Sequence, residues 1–88
     1  MLYNIDMNNY LTPAGQSSRD KILAYVKAYW LENKVSPSAR EIQLACGISS
    51  TSVVDYHLRI MQREGVLYTH KKGQTRSIVP VGITISFQ

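Results

Sequence analysis

Polar and cationic side chains recur at helical spacing between residues 50 and 64. When successive residues are placed about 100° apart, one side of a helix carries Ser52, Tyr56, Arg59 and Arg63, with Asp55 beside them. Hydroxyl and carboxylate groups can exchange hydrogen bonds with another polar surface, and guanidinium groups pair with phosphates. A face that is simply solvated fits the same spacing, so the helix alone does not choose between the two interpretations.

The distribution of charge extends this pattern towards the C-terminus. The chain has 88 residues and a formal net charge of +4. Residues 1–58 sum to zero, so all of the excess positive charge lies from Arg59 onwards. Three of these cations, Lys71, Lys72 and Arg76, surround Gly73. A one-sided basic surface attracts a polyanion such as nucleic acid or an anionic membrane.

The sequence gives little support for a disulfide, a metal site or a catalytic site. Cys46 is the only cysteine, which excludes an internal disulfide and a cysteine-based metal site and fits a reducing cytosol. His57 and His70 lie at spacings unrelated to any ligand set, the serines have no identifiable base, and no glycine-rich phosphate loop occurs. We therefore predict no enzyme, no catalytic residue, no metal, no cofactor and no small-molecule substrate.

The N-terminus has neither the basic region nor the apolar stretch of a signal peptide, and no segment approaches the roughly 20 apolar residues of a membrane span. The predicted location is the cytoplasm, without a membrane partner.

One domain is expected at this length. Residues 1–16 are predicted to form an irregular arm, residues 17–80 the folded domain, and residues 81–88 a strand or tail.

A first helix is predicted over residues 18–33, capped by Ser17 or Ser18. Its apolar face has Ile22, Val26, Tyr29 and Trp30, with Leu23 and Tyr25 flanking, and is interpreted as core. A second, short helix over residues 39–46 is indicated by a capping box between Ser38 and Glu41 and by Gly47, which can end it in a left-handed conformation. Its predicted inward side is Ile42, Ala45 and Cys46, the cysteine acting as a small hydrophobe.

A third helix, over residues 50–64, is capped by Ser49 or Ser50 and ended by Gly65. Its inward side carries Val54, Leu58 and Met61. His57 lies at the margin of that side, where a core role or a hydrogen bond between helices is expected.

The pattern then alternates, which is typical of strands. Val66–His70 and Arg76–Val79 are predicted to pair as a hairpin with its tip at residues 71–75, and Pro80 closes the second strand. Val81, Ile83, Ile85 and Phe87 alternate with smaller residues. This last strand could join the hairpin sheet or pair with a second copy of the chain in a homodimer.

The predicted fold class is α+β, a winged helix-turn-helix of three helices followed by a two-stranded wing. In this arrangement the helix over residues 50–64 enters the DNA major groove, which is about 12 Å wide, and the wing holds phosphates. The expected base contacts are Ser50, Thr51, Ser52, Asp55 and Tyr56. The expected phosphate contacts are Arg40, Arg59, Arg63, Lys71, Lys72 and Arg76.

The sequence also resembles a known family, the DNA-binding domain of the LexA repressors. The resemblance runs from about Arg19 to Val66 without a gap and continues through the hairpin with one extra residue. It is carried by Ser36–Ile42, Gly47–Ile48, Tyr56–Leu58, Arg63–Val66 and Thr75–Ile78. It implies a bacterial or phage transcription regulator that binds double-stranded DNA, and more specifically a repressor.

Two departures from that family bear on function. Across residues 50–56 only Ser50 is identical to well-known members and Asp55 alike in charge, so their target sequence does not carry over. LexA-type repressors also have a C-terminal self-cleaving peptidase domain, which is not found before Gln88. The chain is therefore expected to be either a fragment or a free-standing relative without that switch.

A second hypothesis keeps the fold and changes the partner. In it, the chain is a winged-helix protein-protein interaction module that binds another protein through a helix face or through the strand of residues 81–88. Deleting that segment and measuring mass in solution would separate a dimer from a monomer.

Overall fold

The computed structural model describes residues 13–69 and 76–82. Within them the chain forms three helices and a two-stranded antiparallel sheet. The elements are α1 (Pro13–Asn33), α2 (Ala39–Cys46), α3 (Thr51–Arg63), β1 (Leu67–Thr69) and β2 (Ile78–Pro80). This order and pairing confirm the predicted α+β winged helix-turn-helix.

Helix α1 begins earlier than the sequence predicted. It starts at Pro13, whose fixed φ suits the first turn and whose missing N–H would have no intrahelical partner there. The predicted cap at Ser17 or Ser18 is therefore wrong, because both serines lie inside the helix. Residues 1–12 of the predicted arm lie outside the described part of the chain.

The ends of α2 and α3 follow the sequence signals. The Ser38 hydroxyl accepts a hydrogen bond from the Glu41 amide at 3.2 Å, and the Glu41 carboxylate accepts one from the Ser38 amide at 2.9 Å, which confirms the capping box. Gly47 ends α2 at φ 67°. Ser50 caps α3 by accepting from the Val53 amide at 3.2 Å. These local bonds set the turn between the two helices.

The core lies between α1, α2, α3 and the hairpin. Helix α1 contributes Ile22, Val26 and Trp30, α3 contributes Val54, Leu58 and Met61, and Ile42, Leu67 and Val79 complete the cluster. Leu23 and Tyr25 are half-buried and pack against it. The predicted inward face of α3 is thus confirmed, with Ile60 buried in addition, and that of α1 is confirmed for Ile22, Val26 and Trp30. Tyr29, predicted in the same face of α1, is only half-buried and lies outside this cluster.

Helix α2 differs in one residue from its predicted inward side. Ile42 is fully buried and Cys46 half-buried, but Ala45 is exposed. At about 100° per residue, Ala39 and Cys46 lie to the same side of Ile42 and pack against the core, whereas Ala45 lies to the other side. Burial raises the pKa of the Cys46 thiol, so this side chain has the character of a small hydrophobe and not of a thiolate.

The hairpin strands are shorter than predicted and paired in a defined register: Leu67 lies opposite Pro80, Tyr68 opposite Val79, and Thr69 opposite Ile78. Pro80 is the last strand residue and does not merely follow the strand. Val81 and Gly82 form a turn, so the predicted C-terminal strand does not begin at Val81. Residues 70–75, which include the predicted tip, and 83–88 lie outside the described residues.

Two side chains attach β2 to the helices. The Trp30 indole N–H donates to the Ile78 carbonyl at 2.7 Å. The Ile78 amide donates to the Ser36 hydroxyl at 3.0 Å, and this hydroxyl donates in turn to the Pro37 carbonyl at 2.7 Å. Ser36 is fully buried in the segment between α1 and α2, so the base of the hairpin is fixed to that segment.

Candidate functional site

A groove of about 590 Å³ lies between the start of α2, one side of α3 and the hairpin. Five of the residues predicted to contact a ligand line it: Arg40, Thr51, Asp55, Arg59 and Arg76. The fold thus brings together side chains that are up to 36 positions apart in the chain, and guanidinium groups come from α2, α3 and the segment that precedes β2.

The outward side of α3 is available for contacts. Ser52, Asp55, Arg59 and Arg63 are exposed, and Thr51 and Tyr56 are half-buried. The Tyr56 ring meets the His57 ring edge-on, with centroids 6.1 Å apart. Ser50 uses its oxygen as the cap of α3, while a serine hydroxyl can still donate its own proton. Ser50, Ser52, Tyr56 and Arg63 do not line the groove.

Gln62 lines the groove and was not singled out from the sequence. It follows Asp55 by 7 residues and Arg59 by 3, so a search at helical period from Asp55 would have found it. Its amide is exposed and can both donate and accept, a combination that suits the edge of adenine.

Two predicted phosphate contacts lie at helix ends. Arg40 is exposed near the start of α2, on the rim of the groove. Arg63 is exposed in the last turn of α3, where its positive charge also stabilises the carbonyl end of the helix. Lys71 and Lys72 lie outside the described residues, and their contacts stay predictions.

Arg76 is engaged within the molecule. Nη1 lies 2.8 Å from Glu41 Oε1 and Nη2 lies 3.0 Å from Glu41 Oε2, an arrangement with two parallel hydrogen bonds. Nη1 also donates to Tyr29 Oη at 3.0 Å and to the Ser36 carbonyl at 3.2 Å. The Arg76 hydrogen bonds, followed by the Ser38 amide, lower the pKa of Glu41 to about 2. A phosphate contact by Arg76 stays a prediction.

A second arginine with contacts inside the molecule, Arg19, was not singled out from the sequence. Arg19 of α1 is only 3% exposed, and its Nη1 lies 3.3 Å from His57 Nδ1 of α3. Because a guanidinium only donates, Nδ1 must accept and the neutral ring carries its proton on Nε2. Burial, and then the nearby Arg19 charge, lower the pKa of His57. This confirms the hydrogen-bonding role between helices expected for His57.

Within residues 13–69 and 76–82, no group of three or more His, Cys, Asp or Glu side chains could hold a metal ion. None of the helices in this part of the chain is long and apolar enough to cross a membrane.

Comparison with known proteins identifies the family. The family model described as the LexA DNA binding domain matches residues 10–77, which is most of the chain. The chain belongs to the LexA DNA-binding domain family. The winged helix-turn-helix described above agrees with this family assignment.

Individual LexA repressors match shorter stretches. The chain is 40% identical over 47 residues to the LexA repressor of Carboxydothermus hydrogenoformans, which covers 53% of this chain and 23% of that protein. It is 35% identical over 60 residues to the LexA repressor of Clostridium botulinum (68% and 29%) and 44% identical over 46 residues to that of Roseiflexus sp. (52% and 21%). The matched region is therefore less than a third of each of these relatives.

Proposed function

We propose that this chain binds double-stranded DNA and regulates transcription, as a repressor, by placing α3 in the major groove and the hairpin against the phosphate backbone. The supporting observation is the groove between α2, α3 and the hairpin, where Arg40 of α2 lies beside the exposed polar face of α3 that carries Arg59. Membership of a DNA-binding family supports a regulator and not an enzyme.

Base contacts are proposed for the outward side of α3. Asp55 can accept from the amino group of cytosine, while serine and threonine hydroxyls accept or donate and so discriminate less. Ser52 and Asp55 are exposed one turn apart. The set proposed from the sequence is kept: Ser50, Thr51, Ser52, Asp55 and Tyr56.

Phosphate contacts are proposed for the arginines around this helix. Arg40 and Arg59 lie on the two helices that form the groove, and Arg63 lies on the last turn of α3. Lys71 and Lys72 extend the set into the hairpin. Neutralising phosphates releases counterions, so each such contact makes binding more sensitive to salt.

A homodimer is proposed together with this function. One α3 helix reaches only a few base pairs, and two-fold related helices contact half-sites about 10 base pairs apart. The segment of residues 81–88 remains the proposed pairing element.

The experiment is selection of bound duplexes from a random pool at physiological salt, repeated at higher salt. Enrichment of a palindrome would support sequence-specific binding and the dimer together. Enrichment of a single half-site would support specific binding and contradict the dimer. Salt-sensitive binding without enrichment would contradict specificity and favour a non-specific or protein-directed role.

Matched variants then separate the two kinds of contact. Ser52→Ala, on the exposed face of α3, should change the preferred sequence with little change in salt dependence. Lys72→Ala should weaken binding to all duplexes equally and lower the salt slope by roughly 1. An unchanged slope would show that the Lys72 assignment is wrong.

A further inference from the structure

Arg76 lies where the chain enters β2, and its contacts converge on the start of α2. Glu41 Oε1 accepts both from Arg76 Nη1 at 2.8 Å and from the Ser38 amide at 2.9 Å. The same carboxylate therefore closes the capping box of α2 and binds the base of the hairpin. A two-point bond between a guanidinium and a carboxylate fixes direction as well as distance.

The backbone at Arg76 indicates that these contacts set its conformation. Arg76 has a φ of 57°, a left-handed conformation that residues other than glycine rarely adopt and that persists when surrounding contacts determine it. The guanidinium also binds Tyr29 Oη of α1 and the Ser36 carbonyl. Through these contacts Arg76, which follows the predicted hairpin tip, connects the hairpin to α1, to the segment before α2 and to α2.

We infer that Arg76 is a positioning residue, which together with Glu41 holds the hairpin at the correct angle to α3 for both to contact DNA. This inference rests on the proposed DNA binding and changes the role expected for Arg76, from a phosphate ligand to a support for the hairpin. Nη1 donates to Tyr29, Ser36 and Glu41, and Nη2 donates to Glu41, so the fork of the guanidinium is directed at protein atoms.

The two roles predict opposite effects of a change at Glu41. If Arg76 binds phosphate, Glu41 competes for it and adds a repulsive negative charge, so Glu41→Gln should leave DNA affinity unchanged or raise it. If Arg76 is a positioning residue, Glu41→Gln should lower affinity, although it removes a negative charge. Glutamine also serves in a capping box, so α2 keeps its cap.

The roles also differ for Arg76→Lys. A phosphate contact needs a positive charge, which lysine retains, whereas the two-point bond to Glu41 needs the planar fork of arginine. Arg76→Lys should therefore preserve affinity in the first case and lower it in the second.

The experiment measures the Kd for a selected duplex, for the full chain and for Glu41→Gln, Arg76→Lys and the double variant. Glu32→Gln, an exposed acid of α1, is the matched control for removal of one negative charge. Melting curves fix a temperature at which every variant is folded, and active concentration is obtained by stoichiometric titration. We expect each single variant to raise the Kd roughly tenfold, as for loss of the hairpin phosphate contacts, and the double variant to add little to that increase.

The outcomes separate the hypotheses. Affinity equal to or above that of the unchanged chain for Glu41→Gln, or unchanged affinity for Arg76→Lys, would show that Arg76 is not a positioning residue. A lower Tm with an unchanged Kd would mean that the pair only stabilises the fold, which also overturns the inference. If the unchanged chain shows no salt-dependent duplex binding, the proposed function fails first and the positioning role with it.

Discussion

Two arginines join distant elements of this fold in different surroundings. Arg19 is buried between α1 and α3, where it donates to a neutral histidine ring 3.3 Å away. Arg76 lies at the edge of the groove, where it is bound at two points by the Glu41 carboxylate and its side chain is 42% exposed. The Arg19 site is buried, with a neutral imidazole as hydrogen-bond partner, whereas the Arg76 site is partly exposed to solvent and pairs the guanidinium with a carboxylate. Stability and its pH dependence should therefore depend on Arg19, and the geometry of the groove on Arg76.

The largest effect on stability is expected for Arg19→Ala. It removes a buried side chain and leaves His57 Nδ1 without its donor, so the free energy of unfolding should fall by about 2–4 kcal/mol. Urea denaturation at pH 7 measures this change. Lys21→Ala, an exposed position on the same helix, is the control and should change stability by no more than about 0.5 kcal/mol. A similar loss for Arg19→Ala and Arg76→Gln would remove the contrast between the sites.

The next largest loss of stability is expected at Ser36, which attaches β2 to the segment between α1 and α2. Ser36→Ala deletes the buried acceptor of the Ile78 amide, which should cost about 1–3 kcal/mol of stability. The same urea titration applies, with the exposed Ser52→Ala as control. If Ser36→Ala were as mild as its control, the exposed Arg76 contacts would have to supply most of the anchoring.

A smaller effect should appear as the pH is lowered towards acid. The pKa of His57 in the folded chain is below its ordinary value of 6.5, so the unfolded chain binds this proton more tightly. The contribution of His57 to the free energy of unfolding is therefore fully present above pH 6.5, and it falls as the pH decreases through and below that value. His57→Gln keeps an acceptor for Arg19 and should flatten the decline below pH 6.5, whereas His70→Gln, at the other histidine, serves as the control. An equal decline in both variants would contradict the assignment.

The smallest effect belongs to Glu41 and occupies a different pH range. Its pKa of about 2 lies below its ordinary value of 4.5, so its contribution is present above pH 4.5 and is lost as the pH falls towards 2. NMR titration of the Glu41 carboxyl carbon should show this low value, and Arg76→Gln should raise it. A value near 4.5 in the unchanged chain would mean that the ion pair is not formed in solution.

The sequence predicted the features that depend on neighbouring residues. The capping box at Ser38, the end of α2 at Gly47 and the cap of α3 at Ser50 each involve groups within a few positions, so composition and spacing reveal them. The apolar faces of α1 and α3 follow from helical period for the same reason. Together these signals predicted the helices whose packing forms the groove.

The remaining features depend on contacts between distant positions. Arg19 and His57 are 38 residues apart, and Arg76 and Glu41 are 35 apart, so no local pattern connects them. Arg19 precedes Ile22, Val26 and Trp30 at helical spacing, which places it on the buried side of α1, but its charge predicts an exposed side chain. The start of α1 was missed because Pro13 and Gly15 resemble turn residues, while Ser17 and Ser18 offered a plausible cap further along.

The bonds at Ile78 also restrict how further strands can add to the sheet. In β2 the amide and carbonyl of Ile78 point away from β1, and both are already used by Ser36 and Trp30. A strand of a second copy would find both of these groups already used, and Pro80, the next residue of β2 whose backbone faces away from β1, has no N–H to donate. The Trp30 indole and the Ser36 hydroxyl therefore disfavour edge-to-edge aggregation through β2.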